Sequence, residues 1–249
     1  YLFEGLAAGN YKVEIIPENF ATDSLLENFY SSTGAAQETG LLSDDTKDNN
    51  DNGQDPMSGG VIDPATDGIV SNIVVLGTDM FPEPTGENPD ADNTMLPDNR
   101  SNQTIDFGVW TPVSIGDFVW LDDNVNGIQD GGVAEPGIDG VIMSLQVIDP
   151  ATGNLVPAVD AMGNPVANDT TAGGGLYAFT NLPPGDYVVT VAPENWDATT
   201  GVFGDNGAYP GAFGTVGKGG DDGVENDDNG DNDFVVGPAG GISSDTINL

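Results

Sequence analysis

Asp122, Asn124, Asn126 and Asp130 set oxygen side chains at alternate positions of the stretch Trp120-Leu121-Asp122-Asp123-Asn124-Val125-Asn126-Gly127-Ile128-Gln129-Asp130. Counted from Asp122, they occupy positions 1, 3, 5 and 9 of a loop that wraps a hard divalent cation, with the turn glycine, Gly127, at position 6. The chemistry asks for this pattern. Alternate residues converge their oxygens, the glycine lets the chain bend sharply, and the Ile128 carbonyl at position 7 adds a further ligand. The bidentate acid of position 12 is missing, because Val133 stands there. Glu135 follows two residues later and fills the role if Gly131-Gly132 forms a bulge. Asp, Asn and Gly also favour plain surface turns, so the spacing, rather than the residue types, carries the calcium reading.

Two further acidic clusters exist. Asp221, Asp222, Glu225, Asp227, Asp228, Asn229, Asp231 and Asp233 form one; Asp44, Asp45, Asp48, Asp51, Asn52 and Asp55 form the other. Like charges about 4 Å apart in water repel by about 1 kcal/mol per pair, and more where partly buried. Bound cations relieve that repulsion; a solvated acidic loop avoids it by spreading. Both readings stand for these two clusters. Paired carboxylates can also serve a glycosidase as acid and base, but each candidate here sits in an Asn/Gly loop suited to ions. Asp122→Ala and Asp130→Ala are expected to mimic chelation, whereas Asp160→Ala is not, because Asp160 lies outside every cluster. Asn99-Arg100-Ser101, Asn102-Gln103-Thr104 and Asn168-Asp169-Thr170 fit the short glycan-acceptor pattern.

The composition sets the elements that must position these groups. The 249 residues carry 41 acids against Lys12, Lys47, Lys218 and Arg100, a net charge of −37. Asp outnumbers Glu by 31 to 10, and 36 Gly and 17 Pro accompany them, which disfavours long helices and favours turns. At 37% hydrophobic the chain can still build a core. The charge repels nucleic-acid backbones and anionic membrane surfaces, so neither is an expected partner. No apolar run reaches membrane-spanning length. Without Cys or His, disulfide scaffolds, structural zinc, thiol catalysis and His-based triads are excluded. Self-repulsion on this scale calls for cations, either calcium or the high salt of a halophile. Clustering of the acids in short loops favours calcium. The chain opens on Tyr1 inside a strand-like pattern and is expected to be a window of a longer polypeptide.

An internal repeat organises the chain. Tyr1-Leu2-Phe3-Glu4-Gly5-Leu6 and Gly9-Asn10-Tyr11-Lys12-Val13 align with Tyr177-Ala178-Phe179-Thr180-Asn181-Leu182 and Gly185-Asp186-Tyr187-Val188-Val189, and the match continues through Pro17-Glu18-Asn19 and Pro193-Glu194-Asn195. Asp51-Asn52-Gly53 likewise matches Asp228-Asn229-Gly230. A fixed period means tandem copies of one module. The copies are cut out of phase: residues 1–112 read as the later part of one repeat, and 113–249 as the next repeat without its last strand or strands. The first part, lacking its early strands, is expected to be unable to form a soluble monomer alone. Strand signals fall near 114–121, 140–148, 168–172, 176–181, 186–192, 234–237 and 242–249, and in the first copy near 1–4, 10–16, 69–77 and 103–110. The pattern predicts an all-β chain of tandem immunoglobulin-like β-sandwich modules with long Asp/Asn/Gly-rich loops.

Ile115-Gly116-Asp117-Phe118-Val119-Trp120, the 122–130 loop, Glu135-Pro136-Gly137-Ile138-Asp139-Gly140-Val141 and Leu176-Tyr177-Ala178-Phe179-Thr180-Asn181-Leu182-Pro183-Pro184-Gly185-Asp186-Tyr187 together resemble the B-repeat of serine–aspartate-repeat surface adhesins, the SdrD B-like family. The resemblance covers 113–196 closely, and 1–20 as the tail of a preceding copy. It implies an extracellular, prealbumin-like β-sandwich, tandemly repeated and stabilised by Ca2+, serving as a stalk or spacer at the cell surface. The sequence departs from the family at two extra residues between Asp130 and Glu135, and at Ala172-Gly173-Gly174, where an acid often stands. The Lys–Asn crosslink of related collagen-adhesin sandwiches is not expected, because the strand from Ser114 to Leu121 has no lysine and Lys12 is Val188 in the other copy.

The expected function is that of a non-enzymatic, calcium-stabilised structural repeat of an extracellular surface protein, acting as a rigid stalk, filament or adhesin shaft. Its partners would be neighbouring repeats of the same chain or identical chains. The alternative is an adhesive module that itself binds a host protein or glycan; an exposed aromatic patch or an apolar groove between strands would favour it.

Overall fold

Tyr187, Val189 and Val191 alternate with Val188, Thr190 and Ala192, the period-two pattern of a strand. A computed structural model places this strand at the centre of one of two units, Tyr1–Thr111 and Pro112–Leu249. It describes residues 1–32, 51–76, 102, 104–124, 127–129, 135–209, 230–231 and 241–249.

The first unit contains β1 (Gly9–Tyr11), β2 (Glu14–Ile15), β3 (Tyr30–Ser31), β4 (Gly53–Gln54), a single helical turn α1 (Pro64–Asp67), β5 (Ile69–Ser71), β6 (Val74–Leu76) and β7 (Val109–Trp110). β1 pairs with β6, β2 and β4 flank β5, and β3 pairs with β7, all antiparallel. Tyr30 and Trp110 stack with ring centroids 5.2 Å apart, and the Trp110 indole N–H donates to the Ser31 carbonyl at 2.9 Å. Phe20, Tyr30, Ile62, Ile69, Val74 and Ile105 are its buried apolar residues.

The second unit contains β8 (Val113–Phe118), β9 (Ile142–Ile148), β10 (Leu155–Pro157), β11 (Asp169–Thr170), β12 (Leu176–Leu182), β13 (Asp186–Val191), β14 (Gly230–Asp231), β15 (Ile242–Ser244) and β16 (Ile247–Asn248). One sheet runs β10-β9-β13-β15-β14, with β11 on β9 and β16 on β13; β12 and β8 form a second sheet. The core lies between them. Met143 and Leu145 of β9 and Tyr187 and Val189 of β13 meet Phe179 and Leu182 of β12, with Val113 and Ile115 of β8 packed against the cluster. This is the all-β, immunoglobulin-like sandwich that the alternation predicts. Among the described residues, no helix is long and apolar enough to cross a membrane.

The two units share strand registers. Tyr11 pairs with Val74 and Glu14 with Val70; Tyr187 pairs with Ile247 and Thr190 with Ser243. These partners correspond because residues 68–76 align with 241–249. Gly53 opposite Ser71 corresponds in the same way to Gly230 opposite Ser244. Individual hydrogen bonds repeat as well. The Tyr11 hydroxyl donates to the Ala7 carbonyl and the Tyr187 hydroxyl to the Pro183 carbonyl, each at 2.6 Å. The Val13 N–H meets the Ser71 hydroxyl at 2.9 Å, and the Val189 N–H meets that of Ser244 at 3.1 Å. Gly5 and Asn181 hold the same left-handed kink, at φ 70° and 59°, a region that Gly and Asn enter at least cost.

Some predicted strands differ. Residues 1–4 carry the alternation of β12 but form no strand, because no partner lies beside them among the described residues. The segment 103–110 narrows to β7, with one isolated bridge from Asp106 to Asp51. The predicted strand at 234–237 lies outside the described residues. β3, β4 and β14 are too short to leave a periodic signal, and β10 is masked by the Pro and Asn around it.

Asn195 locks the second unit. It is fully buried; its amide donates to the Ile142 and Ala192 carbonyls at 2.8 Å, and its Oδ1 accepts from the Ile142 N–H at 2.8 Å. Asn19, its counterpart, is exposed and contacts the Ile16 carbonyl at 3.4 Å. Asn195→Ala should therefore cost the second unit about 1–3 kcal/mol, since the Ile142 N–H loses its acceptor while the Ile142 carbonyl keeps the Ala192 N–H, whereas Asn19→Ala should change stability by less than about 0.5 kcal/mol. Urea titrations of the two variants check this. Equal losses would contradict the clamp.

Candidate functional site

The 122–135 loop hangs from a backbone neck. The Val119 N–H donates to the Gly175 carbonyl at 2.9 Å, the Ile138 N–H to the Val119 carbonyl at 2.7 Å, and the Leu121 N–H to the Pro136 carbonyl at 2.9 Å. Trp120 bridges to Gly137 between them. The neck is narrow for a steric reason. A Cβ on Gly137 would stand 1.8 Å from the Gly174 carbonyl oxygen, and one on Gly175 would stand 2.2 Å from that of Val119. Gly175 also needs φ 88°, so both positions require glycine.

The neck sets the position of two predicted ligands. Asp122 and Glu135 each follow directly, on the loop side, from the bonded pair Leu121 and Pro136. Asp122 Oδ2 accepts the Gly127 N–H at 2.9 Å, which curls the loop back over its first residue. Glu135 is 5% exposed, and a carboxylate at that depth needs compensation for lost hydration. Asn124 and Ile128 are described within the same loop; Asn126 and Asp130 lie outside the described residues. Among the described residues, no three acidic side chains stand close enough together to hold a metal ion. The donors present are carboxylate, amide and carbonyl oxygens, which suit a hard cation and not a soft one.

Beside the neck, Asp139 shows how the fold handles one carboxylate without a cation. It accepts the Gly174 N–H at 2.8 Å and the Gly175 N–H at 2.7 Å, and these bonds hold its pKa below the ordinary value. It ties the 135–141 segment to Ala172-Gly173-Gly174, the stretch where the sequence departs from an acidic pattern.

In the first unit, Asp51 and Asp55 converge on Ser31. Asp51 Oδ1 accepts from the Gly53 and Gly108 N–H groups at 2.8 and 2.9 Å, and its Oδ2 accepts from the Ser32 hydroxyl at 2.6 Å. Asp55 is buried and accepts the Ser31 N–H at 3.0 Å. Burial pushes its pKa up to about 7; the Ser31 bond acts against the rise and the Asp51 charge adds to it. The sequence marks Asp55 only as one more acid of a cluster and gives no sign of this burial. Asp44, Asp45 and Asp48, and Asp221, Asp222, Asp227 and Asp228 of the other cluster, lie outside the described residues. Asp231 is described in its backbone, within β14. Asp160 has a structural task of its own: its Oδ1 accepts from the Met162 and Asn164 N–H groups at 2.9 and 2.8 Å and shapes the 160–164 turn.

Comparison with known proteins fits this architecture. Residues 113–217 match the family model of the SdrD B-like domain. Serine-aspartate repeat-containing protein D of Staphylococcus aureus (strain Newman) is 34% identical over 131 residues, 50% of this chain and 9% of that protein. Serine-aspartate repeat-containing protein I of Staphylococcus saprophyticus is 39% identical over 105 residues, 41% of this chain and 5% of that protein. Protein F of the same series, from Staphylococcus epidermidis, is 37% identical over 110 residues, 43% of this chain and 6% of that protein. The chain thus spans less than a tenth of the length of these relatives. No solved structure matches. The resemblance read from the motifs is borne out: the second unit is similar to the SdrD B-like domain and to these serine-aspartate repeat-containing proteins.

Two expected outcomes follow from the geometry. Gly137→Ala should open the neck and cost about 2 kcal/mol or more, because the obstacle is backbone rather than a flexible side chain; thermal melts and limited proteolysis within 122–135 report it. The Asp55 pKa lies above its ordinary 3.8, so the folded state holds the extra proton between about 4 and 7. Stability of the first unit should then fall as pH rises through that window, with the loss complete above about 7. Asp55→Asn should remove that slope in denaturant titrations run with chelator present. A wild-type slope retained by Asp55→Asn would contradict the assignment.

Proposed function

We propose that this chain is a non-enzymatic structural repeat of an extracellular surface protein, stabilised by calcium and placed in a stalk or adhesin shaft. One observation carries the structural part of this reading: two successive units repeat the same strand registers and the same tyrosine, serine and kink contacts, as stacked copies of one module do. A protein built by repetition gains length and stiffness with each copy. Homology of the second unit to serine-aspartate repeat-containing proteins supports the cell-surface placement.

Calcium enters through the 122–135 loop. Asp122, Asn124, Asn126 and Asp130 would offer side-chain oxygens, Ile128 its carbonyl, and Glu135 a carboxylate from the far side of the neck. When bound, the ion supplies positive charge that the protein lacks. The ligands hold the loop compact and the neck fixes its two ends. The clusters at Asp44, Asp45, Asp48 and Asp51 and at Asp221, Asp222, Asp227, Asp228 and Asp231 would take further cations by the same chemistry. Neighbouring repeats, along one chain or between chains in a filament, are the partners this role requires.

Extracellular calcium modules bind at roughly 10⁻⁴–10⁻³ M. Calcium at tenfold above such a Kd should stabilise the second unit by about 1.4 kcal/mol, raising its Tm by about 3–5 °C. Asp122→Ala and Asp130→Ala should abolish the shift. Asp205→Ala, at an exposed position, should leave it intact and replaces Asp160 as the reference. Differential scanning calorimetry with and without chelator decides. An unchanged Tm at low salt would refute calcium stabilisation, and full replacement of calcium by sodium chloride would make the protein halophilic instead.

A further inference from the structure

The β8–β12 sheet is apolar on both faces, and only one of them is core. Val113 and Ile115 of β8, with Val119 and Leu121 beyond it, turn inward toward Phe179 and Leu182 of β12. Alternation along the strand puts Ser114, Gly116, Phe118 and Trp120 on the outer face. Leu176 stands opposite Phe118 and Ala178 opposite Gly116, so both join that face. Phe118 and Trp120 are half-buried, with ring centroids 5.7 Å apart and planes tilted by 56°. Leu176 is 56% exposed, and Gly116 and Ala178 are exposed beside it. The outer face is thus an aromatic ridge next to a flat floor of glycine and alanine. The Trp120 indole N–H has no acceptor, so no hydrogen bond opposes a tilt of that ring.

Carboxylates stand beside this patch. Asp139 accepts the Gly174 and Gly175 N–H groups at 2.8 and 2.7 Å, which sets it at the start of β12 next to Leu176. Asp169 Oδ2 accepts the Ala178 N–H at 2.8 Å. The Gly175 carbonyl faces β8, where it accepts the Val119 N–H. Backbone groups alternate sides along a strand, so Ala178 and its bonded Asp169 lie on the edge of β12 away from β8. The only base in the second unit is Lys218, so the complementary charge must come from outside. A hydrated metal ion gains nothing from an aromatic ridge. The group that fits both features is a flat, weakly hydrated cation, the guanidinium, which stacks on rings and forks onto carboxylates.

We propose that the outer face of the β8–β12 sheet binds an arginine-bearing extended segment of a partner protein. One guanidinium would stack on Phe118 and Trp120 while its stem lies across Gly116 and Ala178. Further guanidinium groups would pair with Asp139 and Asp169. Same-face residues of an extended segment repeat at about 6.6 Å, so alternate arginines present a row of cations to one surface. This role makes the module adhesive as well as structural. It rests on the sheet of the second unit and not on calcium.

The probe is an amidated peptide of alternating arginine and serine, titrated into the full chain at about 0.15 M salt, where charges more than about 8 Å apart are largely screened. The same peptide with citrulline, equal in shape and uncharged, is the control. In NMR titrations the arginine peptide should shift the Trp120 Nε1–H resonance, and the citrulline peptide should bind about tenfold more weakly or worse. Phe118→Thr should weaken binding of the arginine peptide by about fivefold, and Leu176→Thr by about threefold. Leu155→Thr, at a comparably exposed leucine of β10, should leave it unchanged. Thermal melts establish that each variant is folded, and the exposed Leu176 keeps the test open if Phe118→Thr unfolds. Equal binding of the two peptides would overturn the proposal. So would equal binding by wild type and Leu176→Thr, because the attraction would then be diffuse charge. A chain that is dimeric by light scattering, with a Trp120 resonance indifferent to the peptide, would give the face to a second copy and overturn it as well.

Discussion

A central strand of a sandwich needs both edges bonded and its apolar face covered, and β13 is where this protein meets that demand. β9 takes one edge, and β15 and β16 take the other. Tyr187 fills the core with its ring and ties its hydroxyl back to Pro183, which fixes the corner where the chain passes from one sheet to the other. Asn195 then fastens the start of β9. Remove the pairing and the core has no floor. The first unit repeats the pairing of this strand with the segment that follows it and the same tyrosine bond, Tyr11 to Ala7.

The central strands hold few acids: β9 has none, and β13 carries Asp186 only at its start, whereas Glu14, Asp117 and Asp169 lie in the shorter or outer strands β2, β8 and β11. One means of accommodating negative charge is visible in the structure. A single carboxylate is cradled by backbone N–H groups, as at Asp139. Asp197 is held in the same way by the N–H and hydroxyl groups of Thr199 and Thr200, which lower its pKa to about 2. Asp51 uses the Gly53 and Gly108 N–H groups. That solution consumes about two donors per carboxylate and cannot serve loops in which acids follow one another. A divalent cation shared by several oxygens serves such loops at far lower cost in chain. The glycine neck beneath the 122–135 loop leaves the loop free to wrap an ion without disturbing the sheets.

Much of the fold was legible because β9, β12 and β13 are the longest apolar strand patterns of the second unit and residues 1–20 align with 177–196 without a gap. Residues 1–4 show the limit of that signal. Tyr1 and Phe3 alternate as Tyr177 and Phe179 do, yet a strand is a property of pairing, and pairing is not written in one segment. The spacing of oxygen side chains from Asp122 is visible in the sequence, because position within a loop is a local matter. The neck was not. The approach of Gly137 to Gly174 joins residues far apart in sequence, and the burial of Asp55 beneath Ser31 depends on β3, which is two residues long. The turn that Asp160 shapes was not legible for the same reason: distance from other acids says nothing about the N–H groups that a turn brings to it.

The proposed union of a repeated sandwich frame with a calcium ion in the 122–135 loop is tested directly by one measurement. A crystal structure of the chain grown in millimolar calcium, with anomalous diffraction to identify the ion, should show calcium in the 122–135 loop. Six to eight oxygens should surround it at 2.3–2.6 Å, with Asp122 and Glu135 among them. An ordered loop with no ion at that calcium concentration, and with the Glu135 carboxylate turned to protein donors instead, would contradict the account.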